Sequence, residues 1–291
     1  MPDTHFSTNI RASKTATAPT IRAYLGGSFN PVHNGHIQMA MAVYNGLAPI
    51  AAEQRCALQV SLLPNARSPF KQQSMDPKHR LAMLKLAIED TPLQISELEL
   101  WQTPPVYSID SVRTLCQCYP DDSLIFIMGM DSARSLEKWK EGLQLTNYVH
   151  LWIFSRSDND DTAQQSAFTH KNSPIKNLSA QDIIALCHEL PTRLQTQITY
   201  LPTDLAQSLN ITLESSKPLK NNTQGRIYID PHQVTAVSST HIRQQLRQLI
   251  YEPVRTDANL TTKPNNLIKL INPTVYQYII AHQLYSAAQF R

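Results

Sequence analysis

The chain has 291 residues, 42% of them hydrophobic, and a formal net charge of +3 at pH 7. This length and composition allow one large packed domain or two small ones. No apolar run approaches the roughly 20 residues of a membrane span, and the N-terminus lacks the apolar centre of a secretory signal. The scattered basic residues argue against a nucleic-acid partner. We therefore expect a cytoplasmic protein that binds neither a membrane nor nucleic acid.

Cysteine usage is consistent with a reducing compartment. The four cysteines, which form no C-x-x-C pair, are Cys56, Cys116, Cys118 and Cys187. Reduced conditions would leave them as buried thiols, and we assign them no role.

The N-terminal residues 1–20 are rich in Ser, Thr and Ala without hydrophobic periodicity. This composition predicts a disordered extension ahead of a domain over residues 21–291. The domain begins with the segment YLGGSFNPVHNGHIQMA at residues 24–40. Apolar residues alternate up to the glycines and repeat at helical spacing after the histidines, so this segment joins a buried strand to a helix.

The turn between that strand and that helix has the features of an anion site. Gly26 and Gly27 let the backbone turn tightly and let a ligand approach closely, and the N-terminus of the helix favours a phosphate. His33 and His36 lie one helical turn apart and frame this site, where a polyphosphate would favour charged imidazoles. A P-loop, a G-x-G-x-x-G fingerprint and a third zinc ligand are all missing. An ordinary turn with structural histidines is the alternative interpretation.

Strands and helices alternate after this motif. Apolar runs predict strands at residues 56–64, 93–100, 123–129 and 148–154. Such alternation indicates an α/β fold, with a Rossmann-like parallel sheet covered by helices on both faces. Ligands bind beyond the carboxyl ends of the strands in such sheets, which is where the glycine and histidine motif lies.

Capping residues mark the helices between these strands. Residues 75–90 are predicted to form a helix with Asp76 as its N-cap, Pro77 as its first residue, and Leu81, Leu84 and Ile88 on one face. Ser108 is predicted to cap the next helix.

A polar segment interrupts the pattern at about residues 157–225, with one amphipathic stretch at residues 179–190. A structureless loop of this length is uncommon in a compact domain, so we expect a surface insertion outside the catalytic core, with some helix of its own. After it come a strand at residues 226–230, a helix from Ser239 and a last helix from Pro273. These last helices are expected to form a small helical C-terminal part.

Arg243 lies in the first turn of the helix that Ser238 or Ser239 caps. A cation at that place opposes the helix dipole and is mildly unfavourable. Its presence is explained if an anion occupies the N-terminus of the helix.

Two motifs of the chain resemble those of a known enzyme family. GGSFNPVHNGH at residues 26–36 is similar to the G-G-x-F-[DN]-P-x-H-x-G-H motif of nucleotidyltransferases, most closely the bacterial nicotinate-nucleotide adenylyltransferases. VSSTHIR at residues 237–243 matches their second hallmark, I-S-x-T-x-I-R. The resemblance implies a fold of the nucleotidyltransferase type. It also implies transfer of AMP from ATP, accompanied by Mg²⁺, to nicotinate mononucleotide, which forms deamido-NAD and pyrophosphate in NAD biosynthesis.

The same resemblance implies a set of site residues. The residues expected at ATP are Gly26, Gly27, Ser28, Phe29, His33, His36, Ser238, Thr240 and Arg243. The residues expected to act in catalysis are His33, His36, Arg243 and, from the loop PNARSPFK at residues 64–71, Lys71. The residues expected at the mononucleotide are Asn65, Tyr107, Ser108, Asp131, Trp139 and Arg156. Two positions depart from the family pattern: Phe70 replaces the usual His, and no Pro-Gly follows Arg156.

Several alternatives stay open at this point. Nicotinamide mononucleotide or pantetheine phosphate could be the acceptor, although pantetheine-phosphate enzymes typically have Thr in place of His33 and lack the Trp139 segment. A non-catalytic nucleotide-binding module is the alternative from another class, and the intact His33, His36 and Arg243 speak against it. A homo-oligomer is also left open.

Overall fold

The computed structural model describes residues 19–66, 75–156, 177–209, 213–214, 217–218, 224–234, 237–251, 267 and 270–285. Its main sheet has seven strands, and every neighbouring pair is parallel. In chain order they are β1 Thr20–Gly27, β2 Ala57–Pro64, β3 Gln94–Ile95, β4 Ser123–Gly129, β5 His150–Arg156, β6 Ile198–Thr199 and β9 Ile227–Val234. Their order across the sheet is β3-β2-β1-β4-β5-β9-β6, which confirms the predicted parallel sheet. A separate antiparallel pair joins β7 Leu213–Glu214 to β8 Lys217–Pro218.

Helices cover both faces of the main sheet. They are α1 Asn34–Gln54, α2 Pro77–Ile88, α3 Ser108–Cys118, α4 Met130–Arg134, α5 Ala180–Glu189, α6 Thr192–Gln195, α7 Ser239–Tyr251 and α8 Pro273–Ala281. Short 3₁₀ turns occupy Leu136–Lys138, Gly142–Asn147 and Pro202–Leu205. One hydrophobic cluster packs under α1, α2, α7 and α8, and the other under α3 to α6.

The strands supply alternate residues to these two clusters. In β4, Ile125 and Ile127 face the first cluster, whereas Leu124, Phe126 and Met128 face the second. A strand covered on both sides has no solvated face, so it reads as a continuous apolar run. This is why the central strands were visible in the sequence.

The capping predictions have mixed outcomes. Asp76 is the N-cap of α2, and its carboxylate accepts a 2.8 Å hydrogen bond from the Lys78 backbone N–H. The hydroxyl of Ser238 accepts from the His241 N–H at 3.1 Å, so Ser238 is the capping serine of α7. The prediction for Ser108 is wrong, because Tyr107 is the N-cap of α3 and Ser108 is the first helical residue.

One further expectation about an element is wrong, and another is confirmed in part. The strand predicted at residues 93–100 is only Gln94–Ile95, since its second half turns, with a hydrogen bond from the Leu100 N–H to the Glu97 carbonyl. Leu100 is buried, as the apolar pattern suggests, but it is buried in a turn and not in a strand. In α2 the buried side chains are Arg80, Met83, Leu84 and Ala87; of the predicted apolar face, Leu84 is fully buried, and Leu81 and Ile88 are half-buried.

The polar segment is part of the core over residues 177–209. Its strand β6 pairs with β9 at the edge of the main sheet. Leu186, Leu190 and Leu194 pack into one hydrophobic cluster, and Leu205 packs into the other. The expectation of an insertion wholly outside the core is therefore wrong for this stretch, where a few well-spaced leucines among polar residues supply the packing. Residues 157–176 lie outside the described part of the chain, as do residues 1–18 of the predicted extension.

The thiols and the helices match the compositional expectations in part. All four cysteines are free, but only Cys116 and Cys187 are buried, while Cys118 is exposed. Among the helices that the structure describes, none combines the length and apolar character required to cross a bilayer.

Candidate active site

A cavity of about 650 Å³ opens at the carboxyl end of the sheet. Its floor includes the ends of β1 and β4, and the N-termini of α1, α3, α4 and α7 reach its walls. The volume falls within the roughly 300–1,000 Å³ of pockets that bind small organic ligands. Seven parallel strands thus place a ligand-sized cavity where the topology predicts one.

Most of the residues predicted to bind ATP line this cavity. The following line it: Gly26, Gly27, Ser28, His33, His36, Ser238 and Thr240. The first five come from the β1–α1 segment and the last two from the start of α7, so two helix N-termini face the same space. Because each N-terminus carries unpaired N–H groups and a positive dipole end, this part of the cavity favours an anion.

Gly26 is required by packing at the floor of the cavity. A Cβ at Gly26 would lie 2.7 Å from the tip of the Phe126 ring, which also lines the cavity. Real side chains do not approach so closely, so a larger residue would displace the ring. The absence of a side chain at Gly26 therefore lets β1 pack directly against the Phe126 ring.

The two histidines also start the helix that carries them. His33 is the N-cap of α1, His36 is its third residue, and together they form a capping box. The Nδ1 atom of His36 accepts from the His33 backbone N–H at 3.3 Å, and the rings stack with centroids 3.6 Å apart. With Nδ1 as acceptor, a neutral His36 carries its ring proton on Nε2, where it can be donated.

Phe29 does not line the cavity. Its side chain is fully buried, its backbone has a φ of 44°, and its ring makes an edge contact with His36 at 4.9 Å between centroids. A bulky residue in the left-handed region is strained and must be held there by its surroundings. Phe29 thus supports the site from beneath.

Arg243 braces the same turn in this structure. Its Nη1 donates to the Asn30 carbonyl at 2.6 Å, and its Nη2 contacts the Thr240 hydroxyl at 3.1 Å. Burial lowers the pKa of the guanidinium. Arg243 is the fifth residue of α7 and does not line the cavity, and the Asn30 carbonyl is one acceptor for its charge.

Most of the residues predicted to bind the mononucleotide line the same cavity. Those that line it are Asn65, Tyr107, Ser108, Asp131 and Trp139. Trp139 is half-buried and lies within a tight turn between Leu136 and Gly142, where a Cβ at Gly142 would lie 2.1 Å from the Leu136 carbonyl oxygen. Gly142 therefore allows the turn that brings Trp139 to the cavity.

Comparisons with known proteins show which proteins the whole chain resembles. A model of the cytidylyltransferase-like family matches residues 24–245. A probable nicotinate-nucleotide adenylyltransferase of Shewanella frigidimarina is 30% identical over 264 residues, which are 90% of this chain and 97% of that protein. The chain belongs to the nicotinate-nucleotide adenylyltransferase family. A relative of the same name from Idiomarina loihiensis is 29% identical over 267 residues, which are 91% of this chain and 99% of that protein.

The fold of this adenylyltransferase family member is shared with a distant solved structure. It is the Plasmodium falciparum nicotinic acid mononucleotide adenylyltransferase complexed with NaAD, with a TM-score of 0.54 and 16% identity. The alignment covers 92% of this chain and 97% of the parasite enzyme. At this identity the likeness shows the fold alone.

Phe29 and Arg243 do not line the cavity, and two further predicted site residues have no described side-chain position. Lys71 and the neighbouring Phe70 lie outside the described residues. Arg156 is the last residue of β5, where the backbone pairs with Val234 next to an irregularity in register. The structure describes no side-chain position for Arg156.

The cavity also contains charged residues that sequence reasoning missed. Glu99, Lys138 and Lys140 all line it. Burial raises the pKa of the Glu99 carboxyl. The Lys140 ammonium lies 4.6 Å from the Tyr107 ring centroid and 3.1 Å from the Asp110 carboxylate. The lysines flank Trp139 in sequence, which was a usable signal, whereas Glu99 was concealed in a predicted strand.

Proposed function

We propose that this chain transfers the AMP group of ATP to nicotinate mononucleotide, forming deamido-NAD and pyrophosphate. The observation that carries the proposal is a single cavity lined both by the N-termini of α1 and α7 and by the Tyr107 and Trp139 side chains. The two sets of side chains suit the two halves of a dinucleotide product. The helix N-termini suit phosphates, and the rings suit the flat faces of a pyridine.

In this proposal ATP binds with its phosphates between the starts of α1 and α7. Gly26, Gly27 and Ser28 would leave room for the phosphate chain, and Ser238 and Thr240 would donate hydroxyl hydrogens to it. Arg243 and Lys71 would offset charge on the leaving pyrophosphate. The mononucleotide would bind beside Asn65, Asp131 and Arg156, with its ring against Trp139.

The chemistry needs no nucleophile from the protein. A phosphate oxygen of the mononucleotide attacks the α-phosphorus of ATP, and the bond between that phosphorus and the bridging oxygen breaks, so the electron pair leaves with pyrophosphate. Catalysis is then positioning and charge stabilisation. The Nε2–H of His36 and the His33 ring would stabilise negative charge that develops on the transferring group.

Magnesium is expected to enter with ATP. The described residues contain no group of three or more His, Cys, Asp or Glu able to hold a metal ion. Mg²⁺ commonly keeps several waters and binds through substrate phosphates, so phosphate oxygens and water would be its main ligands. When bound, it neutralises part of the phosphate charge. A cytoplasmic location, where ATP is abundant, belongs to the same proposal.

A turnover assay tests the proposal. The purified chain is incubated with Mg²⁺-ATP and, in separate reactions, nicotinate mononucleotide, nicotinamide mononucleotide or pantetheine phosphate, and the products are separated by chromatography. We expect deamido-NAD and pyrophosphate in equal amounts, with the highest kcat/KM for nicotinate mononucleotide. Faster reaction with either other acceptor would contradict the proposed substrate, and no product from any of them would contradict the proposed activity.

A further inference from the structure

Arg80 has an unusual environment for a charged residue on a helix. Its side chain is fully buried in α2 and does not line the cavity. The guanidinium donates from Nη1 to the carbonyls of Ser28 at 3.0 Å and Asn65 at 2.7 Å. It also donates from Nη2 to the carbonyl of Ala66 at 2.8 Å and from Nε to that of Met75 at 3.3 Å.

Such burial needs a reason other than stability. Among the described residues, Arg80 makes no ion pair with a carboxylate. Its neighbours on the same face of α2, Met83 and Leu84, are apolar and fully buried. A buried charge is costly to desolvate, and an apolar residue of similar volume often stabilises a core at least as well. What an apolar residue cannot do is hold several carbonyl groups in one fixed direction.

Two of those carbonyls belong to residues that line the cavity. Ser28 follows β1 and Asn65 follows β2, and these strands are neighbours in the sheet. The Asn65 N–H also donates to the Gly27 carbonyl at 3.0 Å, so the two loops are already joined. Arg80, which does not line the cavity, adds a second connection between them.

The direction of a carbonyl group decides what the peptide offers to a ligand. The C=O and the following N–H of a trans peptide point in opposite directions. With the Ser28 and Asn65 oxygens turned to Arg80, the N–H groups of Phe29 and Ala66 point away from the guanidinium. An oxygen turned towards the cavity instead would place a partial negative charge near the phosphates.

We propose that Arg80 is a positioning residue for the adenylyl transfer, which keeps the carbonyls of Ser28 and Asn65 turned away from the phosphates of ATP. It acts through the backbone and does not touch the substrates. The inference rests on the proposed function, and it adds a residue from α2 to the site.

The test compares Arg80→Lys and Arg80→Met with the same changes at Arg22. Arg22 is a suitable control, because it is also largely buried and its side chain bonds Asp122 and Gln59. None of these three residues lines the cavity. For each variant we would measure kcat and KM for ATP and for nicotinate mononucleotide, ATP binding by calorimetry, and the melting temperature.

We expect Arg80→Lys to fold and to lower kcat/KM for ATP by about 10- to 100-fold, because a small misplacement of binding groups is costly. Calorimetry should show weaker ATP binding, and Arg80→Met should be affected more strongly. The Arg22 variants should melt at a lower temperature but keep KM for ATP within about threefold of the wild type, as expected of a structural change.

Wild-type kcat and KM in folded Arg80 variants would overturn the proposal. It would also be overturned if both Arg80 variants failed to fold while both Arg22 variants folded, since Arg80 would then be a structural residue. Failure of the proposed function is distinguishable, because the wild type itself would then produce no deamido-NAD. The calorimetric comparison of ATP binding would still test Arg80.

Discussion

At the scale of single residues, His33 and His36 have a structural task that their sequence motif did not suggest. They close the start of α1 as a capping box, a position usually taken by Ser or Thr with Glu or Gln. The same bond fixes the ring of His36, because its Nδ1 accepts from the His33 N–H. Starting the helix and presenting a donor to a phosphate are therefore compatible roles of one side chain.

Two substitutions separate these roles of His36. Gln is a natural third residue of a capping box, so His36→Gln should keep the melting temperature near that of the wild type, while His36→Ala loses the cap at a cost of about 1 kcal/mol. Both should lower kcat by on the order of 10²- to 10³-fold, since both remove the imidazole donor. His79→Ala, outside the cavity, is the control. Near-normal kcat in either folded variant would remove His36 from the mechanism.

Trp139 is expected to bind the pyridine ring by its face, which nicotinate and nicotinamide mononucleotides share. Trp139→Ala should therefore raise KM for both by similar factors, on the order of tenfold for the loss of about 1–1.5 kcal/mol of aromatic contact. Trp101→Ala, at an indole that is 52% exposed and does not line the cavity, should change neither KM. Steady-state kinetics on both acceptors measures this. An effect confined to one of them would exclude the stacking role.

At the scale of elements, the polar segment shows how few apolar residues are needed to join a core. Over residues 177–209 the chain adds strand β6 to the sheet and places α5 and α6 against one of its faces. Replacing the whole segment with a short linker would expose those faces, so we expect loss of soluble protein. The polar composition predicts a surface insertion, because the polar residues of the segment outnumber the leucines that pack into the core.

A single leucine tests this integration. Leu194 is 1% exposed and packs under the sheet, so Leu194→Ala should lower the free energy of unfolding by about 2–5 kcal/mol. Ile184 lies in the same segment but is 48% exposed, so Ile184→Ala should change the free energy of unfolding by less than about 0.5 kcal/mol. Urea unfolding followed by circular dichroism gives both values. Equal effects of the two changes would mean that the segment is not packed as described.

At the scale of the whole molecule, His150 couples the sheet to the polar segment. Its Nδ1 accepts from the Arg226 N–H at 2.9 Å, and its Nε2 lies 2.8 Å from the Gln207 carbonyl oxygen. With Nδ1 as an acceptor, the neutral ring donates from Nε2 and satisfies both partners. Burial is the main reason that the pKa of His150 falls to about 4.

This pKa predicts how stability depends on pH. An unfolded histidine titrates near about 6.5, so between that value and about 4 the unfolded chain binds a proton that the folded chain does not. The contribution of His150 to the free energy of unfolding is present above about pH 6.5. As the pH falls towards about 4, up to about 3 kcal/mol of it is lost. In urea unfolding, the free energy of unfolding should fall less between pH 7.5 and pH 4.5 for His150→Gln than for the wild type. Parallel declines would contradict the assignment.

The sequence by itself determined the alternation of strands and helices, the parallel sheet and the two motifs at the starts of α1 and α7. These are local properties, because a strand buried on both faces and a helix N-cap are written in a few consecutive residues. For the same reason the family could be recognised from short segments. Five residues predicted at the mononucleotide, Asn65, Tyr107, Ser108, Asp131 and Trp139, do line one cavity.

Only the tertiary structure decided what lies behind those motifs. The contact of Arg243 with the Asn30 carbonyl spans 213 residues of sequence, and the Tyr285 hydroxyl reaches the Asn30 side chain across 255. No periodicity records such contacts, since they depend on strand order and on how helices cover the sheet. Arg80 is the sharpest case, because an arginine on a helix is ordinarily solvent-exposed. Its burial became visible only when α2 packed against the loops that follow β1 and β2.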